Sequence, residues 1–473
     1  MNILALEAST SSAKAVLYND TKGILFAHSE SYTKSISHNG KQDTEGIFQT
    51  LIETACQVIN NQPIDAIGIS GIWHSICLCD QNYIPQQPTY NWLFTETGDL
   101  CQQIRDDEKM TDEIYFRTGC MPNTTYQPYT LMHLKLAGLP IQNYRLLSQG
   151  GYLFYRLTGC NWETSSMLSG MGFLNNSEKV LDPFIMDLAG ISPDQFGDLV
   201  HEPRFAPLTS DVAARLGIKA GIPVFVAYPD GALNQVGNQA EEKGVMTASI
   251  GTSGAIRLAS DQPKFSPSKS TWCYVGVNQW LCGAAINGAG NCIDWFSETF
   301  LKKQIDFEFM NAHLTDRDPT SIFLPFIFGE RCPGWDANRL GGFVELSAEM
   351  ELHDLYRGIC EGILFNLFHC YEKLLEFQPV PEKIIVSGGI INSRQWLSIF
   401  ANLFNKELEI STMTHASVLG AVYNILKIFD YRTPIDSAKA DIIQVDSNLH
   451  KEYYTKYKRY LDFYQKTISR RRE

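Results

Sequence analysis

Residues 4–20 read "LALEASTSSAKAVLYND", an apolar run, a turn of small polar residues, and a second apolar run. That pattern predicts a β-hairpin, because hydroxyl side chains bond nearby backbone and favour turns. The first run ends in a carboxylate, Glu7, and the turn carries four consecutive hydroxyl residues, Ser9, Thr10, Ser11 and Ser12. The theme returns at 246–258, "MTASIGTSGAIRL", with the turn Gly251-Thr252-Ser253-Gly254. The two copies lie about 240 residues apart, near half the chain length, and each opens a run of alternating strand and helix patterns. A duplicated α/β domain is the economical reading, divided as 1–240 and 241–473 around the polar "NQAEEKGVM" segment at 238–246.

Each half has its own sequence of expected elements. "IDAIGISGIWHSICLCD" (64–80) predicts a strand pair with Trp73 and His74 in its central turn. Helical patterns follow near 98–117 and 124–138, then in "GGYLFYRLTG" (150–159). Residues 221–237, "GIPVFVAYPDGALNQVG", predict a buried strand ending at Asp230-Gly231 and then a helix. In the second half, 282–300 predicts a strand and turn running into a helix, and 321–343 a loop-rich section. A long amphipathic helix is expected over 349–377, strand, Gly-Gly turn and helix over 383–404, and a small-residue helix over 415–429. The basic "SRRRE" (469–473) is expected to end a polar helix in solvent.

Composition narrows the function classes. The chain has 473 residues, 44% hydrophobic and 19% charged, which fits two to three ordinary globular domains. With 39 basic against 52 acidic residues the net charge is −13, which argues against nucleic acid as a partner. An anion can still be held locally by backbone N–H groups. The N-terminus lacks a basic region before its apolar run, and no run of about 18 apolar residues predicts a membrane span, so a cytoplasmic protein is expected. Twelve scattered cysteines without a CxxC pair (Cys77-x-Cys79 comes nearest) predict buried thiols rather than disulfides or zinc.

Several residues could carry chemistry. The two hydroxyl turns could grip a polyphosphate between the halves, with Glu7 beside its Mg²⁺, and Gly251 and Gly254 would let backbone N–H groups turn toward the anion. Asp230 follows a strand of buried character, where open α/β sheets place ligand-binding groups. Its carboxylate could be a general base or a helix N-cap, and position alone leaves both open. Trp73 and His74 together suit a polyhydroxylated ligand, the imidazole bonding hydroxyls and the indole covering C–H faces; a histidine satisfied within the structure is the other reading. Gly388-Gly389 follows the strand "KIIVS" and could bring backbone close to a nucleotide. Glu330-Arg331 could be catalytic or a surface pair, and a surface pair is expected.

Taken in order, "ISGIWHS", "YPDGALNQVG", "SIGTSGAIR", "LPFIFGERCPGWD", "VSGGIINSRQWLSIFANLF" and "HASVLGAV" resemble the FGGY family of carbohydrate kinases over roughly residues 1–430. "DGALNQVG", "IGTSGAIR" and "AAINGAGN" look most like its gluconokinase branch. The resemblance implies a duplicated actin/hexokinase-like (ribonuclease H-like) fold, with ATP and sugar in the interdomain cleft. It implies that Asp230 is the general base, Glu7 belongs to the Mg²⁺ environment, and Thr10, Ser11, Ser12, Gly251, Thr252 and Ser253 meet the phosphates. Trp73, His74 and Asn287 would meet the sugar, and Gly388, Gly389 and Asn392 the nucleotide. The expected substrate is a small sugar or sugar acid, gluconate foremost, with xylulose or another ketose or polyol as the alternative. A catalytically impaired sensor is a third reading and an actin-like scaffold a fourth. Assembly is left open, a homodimer included.

The chain departs from the family pattern at several positions. Glu7 stands where the family carries Asp, Ser9 where it carries Gly, and Trp92-Leu93-Phe94 replaces its Trp-x-Asp. Thr130 and His133 replace a Lys and a Trp, and Glu345 replaces a Gly.

Overall fold

The alternation that begins at Asn2 folds into a sheet whose topology is then repeated. A computed structural model describes residues 1–314, 321–411, 413–431 and 441–468; the basic 469–473 segment lies outside them. In the first half, strands β1 (Asn2–Ala8), β2 (Ser12–Asn19), β3 (Gly23–Ser31), β4 (Ala66–Gly71), β5 (Phe205–Pro207), β6 (Pro223–Phe225) and β7 (Tyr228–Pro229) make one sheet in the order β5-β6-β4-β1-β2-β3, with β7 also paired to β4. In the second, β8 (Val245–Ile250), β9 (Gly254–Ser260), β10 (Trp272–Val275), β11 (Trp280–Ile286), β12 (Lys383–Ser387), β13 (Leu408–Ile410) and β14 (Asp441–Ile443) run in the order β10-β11-β9-β8-β12-β13-β14.

In each sheet an antiparallel hairpin (β1/β2, β8/β9) is extended by a third antiparallel strand on one side and by two parallel strands on the other. The duplicated two-domain α/β architecture expected from the two hairpins is therefore present. β1 is buried along its whole length, as befits a central strand covered on both faces.

Helix α1 (Thr44–Ile59) packs across β2 and β3. Helix α2 (Asp230–Gly237) meets α6 (Ala416–Ile428), a helix of the second half that also lies on β1 and β4. Their backbones nearly touch: a Cβ on Gly237 would stand 1.8 Å from the Ala416 carbonyl oxygen, and one on Gly420 would stand 2.0 Å from that of Leu233. Between these helices in sequence come α3 (Gly290–Leu301), α4 (Leu352–Leu375) and α5 (Arg394–Phe404), and α7 (Ser447–Lys466) follows α6.

Three local expectations are corrected. The 64–80 segment is not a hairpin: β4 pairs parallel with β1, whereas Ser75–Cys79 pairs antiparallel with Thr89–Asn91 and Arg145–Leu147 in a different sheet. The turn at Ile72-Trp73-His74 thus carries the chain between sheets, which buries both aromatic residues instead of exposing them at a tip. The 98–117 pattern is two helices, Gly98–Arg105 and Glu108–Thr118, because Asp107 caps the second by accepting from the Met110 N–H at 3.1 Å. Glu330 and Arg331 are not a surface pair. Glu330 is 1% exposed and bonded to Arg339, while the Arg331 side chain enters the cleft.

All twelve cysteines are free thiols; ten are buried as expected, Cys77 and Cys79 among them, whereas Cys160 is half-buried and Cys56 exposed. Among the described residues no cluster of three or more His, Cys, Asp or Glu side chains could hold a metal, and no helix is long and apolar enough to cross a membrane.

Candidate active site

Between the two sheets lies a cavity of about 150 Å³ walled by Trp73, His74, Trp92, Asp230, Arg257 and Arg331, with Ser253 and Gly254 at its edge. A wider groove of about 810 Å³ near His38 and Gln86 contains none of the predicted site residues, so the chemistry belongs to the smaller cleft.

Asp230 reaches this wall because β7 ends at Pro229 and α2 begins at once. Pro229 occupies the cap position, and Asp230, the first helical residue, accepts from the Gly231 N–H at 2.7 Å through Oδ1. A cap role is thus not what defines this carboxylate. Desolvation in the cleft, and secondarily the charge of Glu7, push its pKa from 3.8 up to about 6; the Gly231 N–H and Arg257 oppose that rise. Gly231 makes the approach possible, since a Cβ there would meet the Trp73 ring at 2.6 Å and lie 3.6 Å from Arg257 Nε.

Trp73 donates its indole N–H to the Ser166 carbonyl at 2.8 Å and packs edge-on against Tyr274 with centroids 4.9 Å apart. His74 Nδ1 bonds the Gly170 carbonyl, which can only accept, so the proton sits on Nδ1. Nε2 is then the acceptor for Arg331 Nη2, 3.2 Å away. Burial first, and the Arg331 charge next, hold the His74 pKa well below its ordinary value. His74 is consequently a neutral residue that aims Arg331. It is a histidine satisfied within the structure, the other reading its sequence left open, and its ring also lines the cavity.

The first hydroxyl turn borders the same space. Ser9 Oγ accepts from the Ser12 N–H at 3.0 Å and the Ser11 N–H at 3.3 Å, so this hydroxyl organises its own turn. Thr10 Oγ1 accepts from Trp92 Nε1 at 3.2 Å, which ties the turn to the cavity wall, and Ser11 is exposed. Glu7, at the end of β1, is 2% exposed; Lys14 Nζ lies 2.8 Å from its Oε2, and Ser417 donates to its Oε1. In the second turn Thr252 is exposed and Gly251 is fastened to α3, its carbonyl accepting from the Gly290 N–H at 2.8 Å. Gly388, with φ +91°, lies against the end of β8, where a Cβ would come 2.4 Å from the Ile250 oxygen; Gly389 and Asn392 are exposed beside it. Asn287 differs from the rest: its amide donates to the Phe328 carbonyl at 3.2 Å, outside the cavity wall.

The departures have visible settings. Phe94 is 1% exposed, its ring against Tyr90 and His133 with the Lys41 ammonium 5.0 Å from its centroid, so an aromatic ring fills the place of a carboxylate. Glu345 adopts φ +60°, a conformation that favours the glycine it replaces.

Three wall residues were not predicted as site residues, Trp92, Arg257 and Arg331. Arg257 lies in β9, between buried Ile256 and Leu258, and Arg331 comes from the loop after Ile322–Leu324. The available signal was an arginine in the middle of the apolar "GAIRLA", since a charge on a buried strand requires a partner.

A duplicated α/β fold with a carboxylate, two guanidiniums and indoles in its cleft, flanked by two hydroxyl-bearing turns, defines a group-transfer enzyme of the actin-like architecture. Residues 2–237 match the N-terminal domain, and 246–424 the C-terminal domain, of the FGGY family of carbohydrate kinases. The chain belongs to that family. It is 27% identical over 447 residues to the gluconokinase of Bacillus subtilis, covering 89% of this chain and 86% of that one. In fold it is similar to the ligand-bound xylulose kinase of Lactobacillus acidophilus (TM-score 0.91, 24% identity) and to the gluconate kinase of the same organism (TM-score 0.90, 24% identity), each over 99% of both chains.

Proposed function

We propose that this carbohydrate kinase transfers the γ-phosphoryl group of ATP to a terminal hydroxyl of a sugar acid, with gluconate favoured, in the cytoplasm. The carrying observation is Asp230: a carboxylate on the cleft wall, raised to about 6 and unpaired by any short ion pair among the described residues. It is ionised at neutral pH yet basic enough to take a hydroxyl proton as the bond to phosphorus forms. The acceptor oxygen attacks the γ-phosphorus in line, its proton goes to Asp230, and the bond to the β–γ bridging oxygen breaks, releasing ADP. Positioning and charge stabilisation supply most of the catalysis in such transfers.

The residues present fit the co-substrate and its metal. Exposed Ser11 and Thr252, one on each hydroxyl turn, with Gly388, Gly389 and Asn392 open to solvent, offer a phosphate and nucleotide face. Mg²⁺ in kinase sites is held by one or two carboxylates plus phosphate oxygens, and Glu7, close enough to Asp230 to raise its pKa, is the carboxylate that would hold it, in competition with Lys14 and Ser417. When bound, the ion would neutralise charge developing on the phosphates. Domain closure would exclude water from the acceptor site.

A ketose or polyol acceptor is the second reading, supported by the likeness to the xylulose kinase of L. acidophilus. Mg²⁺-dependent ADP release across sugars, sugar acids and polyols, with Asp230→Asn alongside, tests both. Turnover confined to aldonates and lost in the variant is expected. Full turnover in Asp230→Asn overturns the mechanism, and silence with every acceptor while ATP still binds favours a sensor.

A further inference from the structure

The cavity wall carries more positive charge than its own carboxylate can balance. Arg257 Nε and Nη1 and Arg331 Nε are buried atoms with no hydrogen-bond acceptor. The two guanidiniums also repel each other, and Arg331 contributes to the lowering of the Arg257 pKa after burial. Asp230 is the acid beside Arg257, and it must stay available for the acceptor proton. His74 and Tyr274 hold Arg331 by hydrogen bonds, but the neutral imidazole and the phenol add no negative charge to balance it. Buried charges without partners are costly, and a fold retains them where a ligand completes the pairing.

We infer that Arg331, aimed by His74 and assisted by Arg257, binds the carboxylate of the acceptor and thereby makes the enzyme selective for sugar acids over neutral sugars. The inference rests on the sugar-acid reading above and deepens it. A planar guanidinium fork matches a carboxylate with two parallel N–H···O bonds, stronger than neutral hydrogen bonds. The setting favours the acceptor's anion: Arg331 is hydrogen-bonded to His74 and Tyr274, whose rings lie 5.6 Å apart, and His74 in turn stacks on Trp73. Specificity of this kind is strong, because an acceptor lacking the anion leaves the buried donors unpaired.

D-glucitol tests the idea, being the same six-carbon chain with a neutral hydroxymethyl group in place of the carboxylate. The kcat/KM ratio of gluconate to glucitol is measured in the wild type, Arg331→Gln, Arg331→Lys and Arg257→Gln. We expect a wild-type preference of at least about 100-fold, cut at least tenfold in Arg331→Gln, mainly through the gluconate KM, and partly retained in Arg331→Lys. In Arg257→Gln the preference falls together with kcat, because this side chain also faces Asp230. Equal losses with both acceptors in Arg331→Gln overturn the inference and assign the guanidinium to the transferred phosphate.

Binding to the wild type without nucleotide, read by the fluorescence of Trp73, Trp92 and Trp272 on the wall, does not depend on how the variants fold. Five- and six-carbon aldonates should perturb it at concentrations at least tenfold below glucitol, and identical titrations overturn the assignment. If a neutral ketose is phosphorylated and no aldonate binds or reacts, the sugar-acid reading itself falls. If gluconate is turned over with its preference unchanged in Arg331→Gln, only the assignment to Arg331 falls.

Discussion

Glu7 and Lys14 are directly paired residues of β1 and β2, and the lysine ammonium lies 2.8 Å from the glutamate Oε2. Ser417, on helix α6 of the other half, donates to the second oxygen. A side chain one carbon longer than aspartate therefore reaches both its own hairpin partner and the opposite domain. If this carboxylate serves the metal, Lys14 competes with the cation for it. Glu7→Gln is expected to raise the Mg²⁺ concentration for half-maximal ADP release by roughly 10–100-fold. Lys14→Met is expected to lower it. A Mg²⁺ titration of activity decides, and unchanged requirements in both variants would remove Glu7 from the metal site.

Asp230 links activity to stability through one pKa. Its folded value of about 6 exceeds the ordinary 3.8, so between pH 4 and 6 the folded state keeps a proton that the unfolded state releases. Its contribution is therefore neutral below about pH 4, and stability is lost as pH rises through 6. Asp230→Asn is expected to lower kcat by roughly 10²–10⁴-fold. The same variant should stabilise the fold at pH 7.5 by on the order of 1–3 kcal/mol, a gain that vanishes by about pH 4. Calorimetric melts at the two pH values check this. In the wild type, kcat/KM should fall tenfold per pH unit below about 6.

The hydroxyl turns, the Asp230 strand-to-helix junction and the Gly388-Gly389 turn were legible because each is local: small polar residues between apolar runs announce a turn wherever the chain later goes. Trp73 and His74 were legible as a pair that the structure places on the cleft wall, but not as buried residues, since nothing in "ISGIWHSICL" states that the two apolar runs join different sheets. Strand β3 was unreadable for the opposite reason. It lies on the sheet edge, mostly exposed, and carries no apolar alternation. Arg331 was misread because its adjacent residue, Glu330, offers an obvious partner in sequence, while in space that carboxylate belongs to Arg339. Long-range pairing of charges has no signature at neighbouring positions.

The α2–α6 crossing gives a case where local propensity and packing disagree. Gly→Ala inside a helix ordinarily stabilises by about 1 kcal/mol. At Gly420 the added Cβ would lie 2.0 Å from the Leu233 carbonyl oxygen, a collision with backbone that a side-chain rotation cannot relieve. Overpacking of this kind costs about 1–3 kcal/mol, so the clash wins. Gly420→Ala is expected to lower the urea midpoint and to reduce turnover, because α2 carries Asp230 at its first residue. A raised midpoint would mean that the two helices are not held at this distance.

The loop that delivers Arg331 depends on a pair buried behind it. Glu330 and Arg339 have fully buried side chains, with Arg339 Nη1 2.7 Å from Glu330 Oε2. Tyr464 of α7 donates to the other oxygen at 2.7 Å, and the Gly334 N–H reaches it at 3.0 Å. The guanidinium also stacks over Phe326 and Tyr464, at 4.4 and 3.8 Å from their centroids. Removing one partner leaves a buried charge unpaired, so Arg339→Met is expected to cost roughly 3–5 kcal/mol. The double variant Glu330→Gln/Arg339→Met should recover part of that loss, because no uncompensated charge remains. Urea denaturation of the three proteins measures the coupling. In the double variant Arg331 loses its fixed base, so the gluconate KM is expected to rise more than kcat falls. An unchanged KM would show that Arg331 is held by His74 alone.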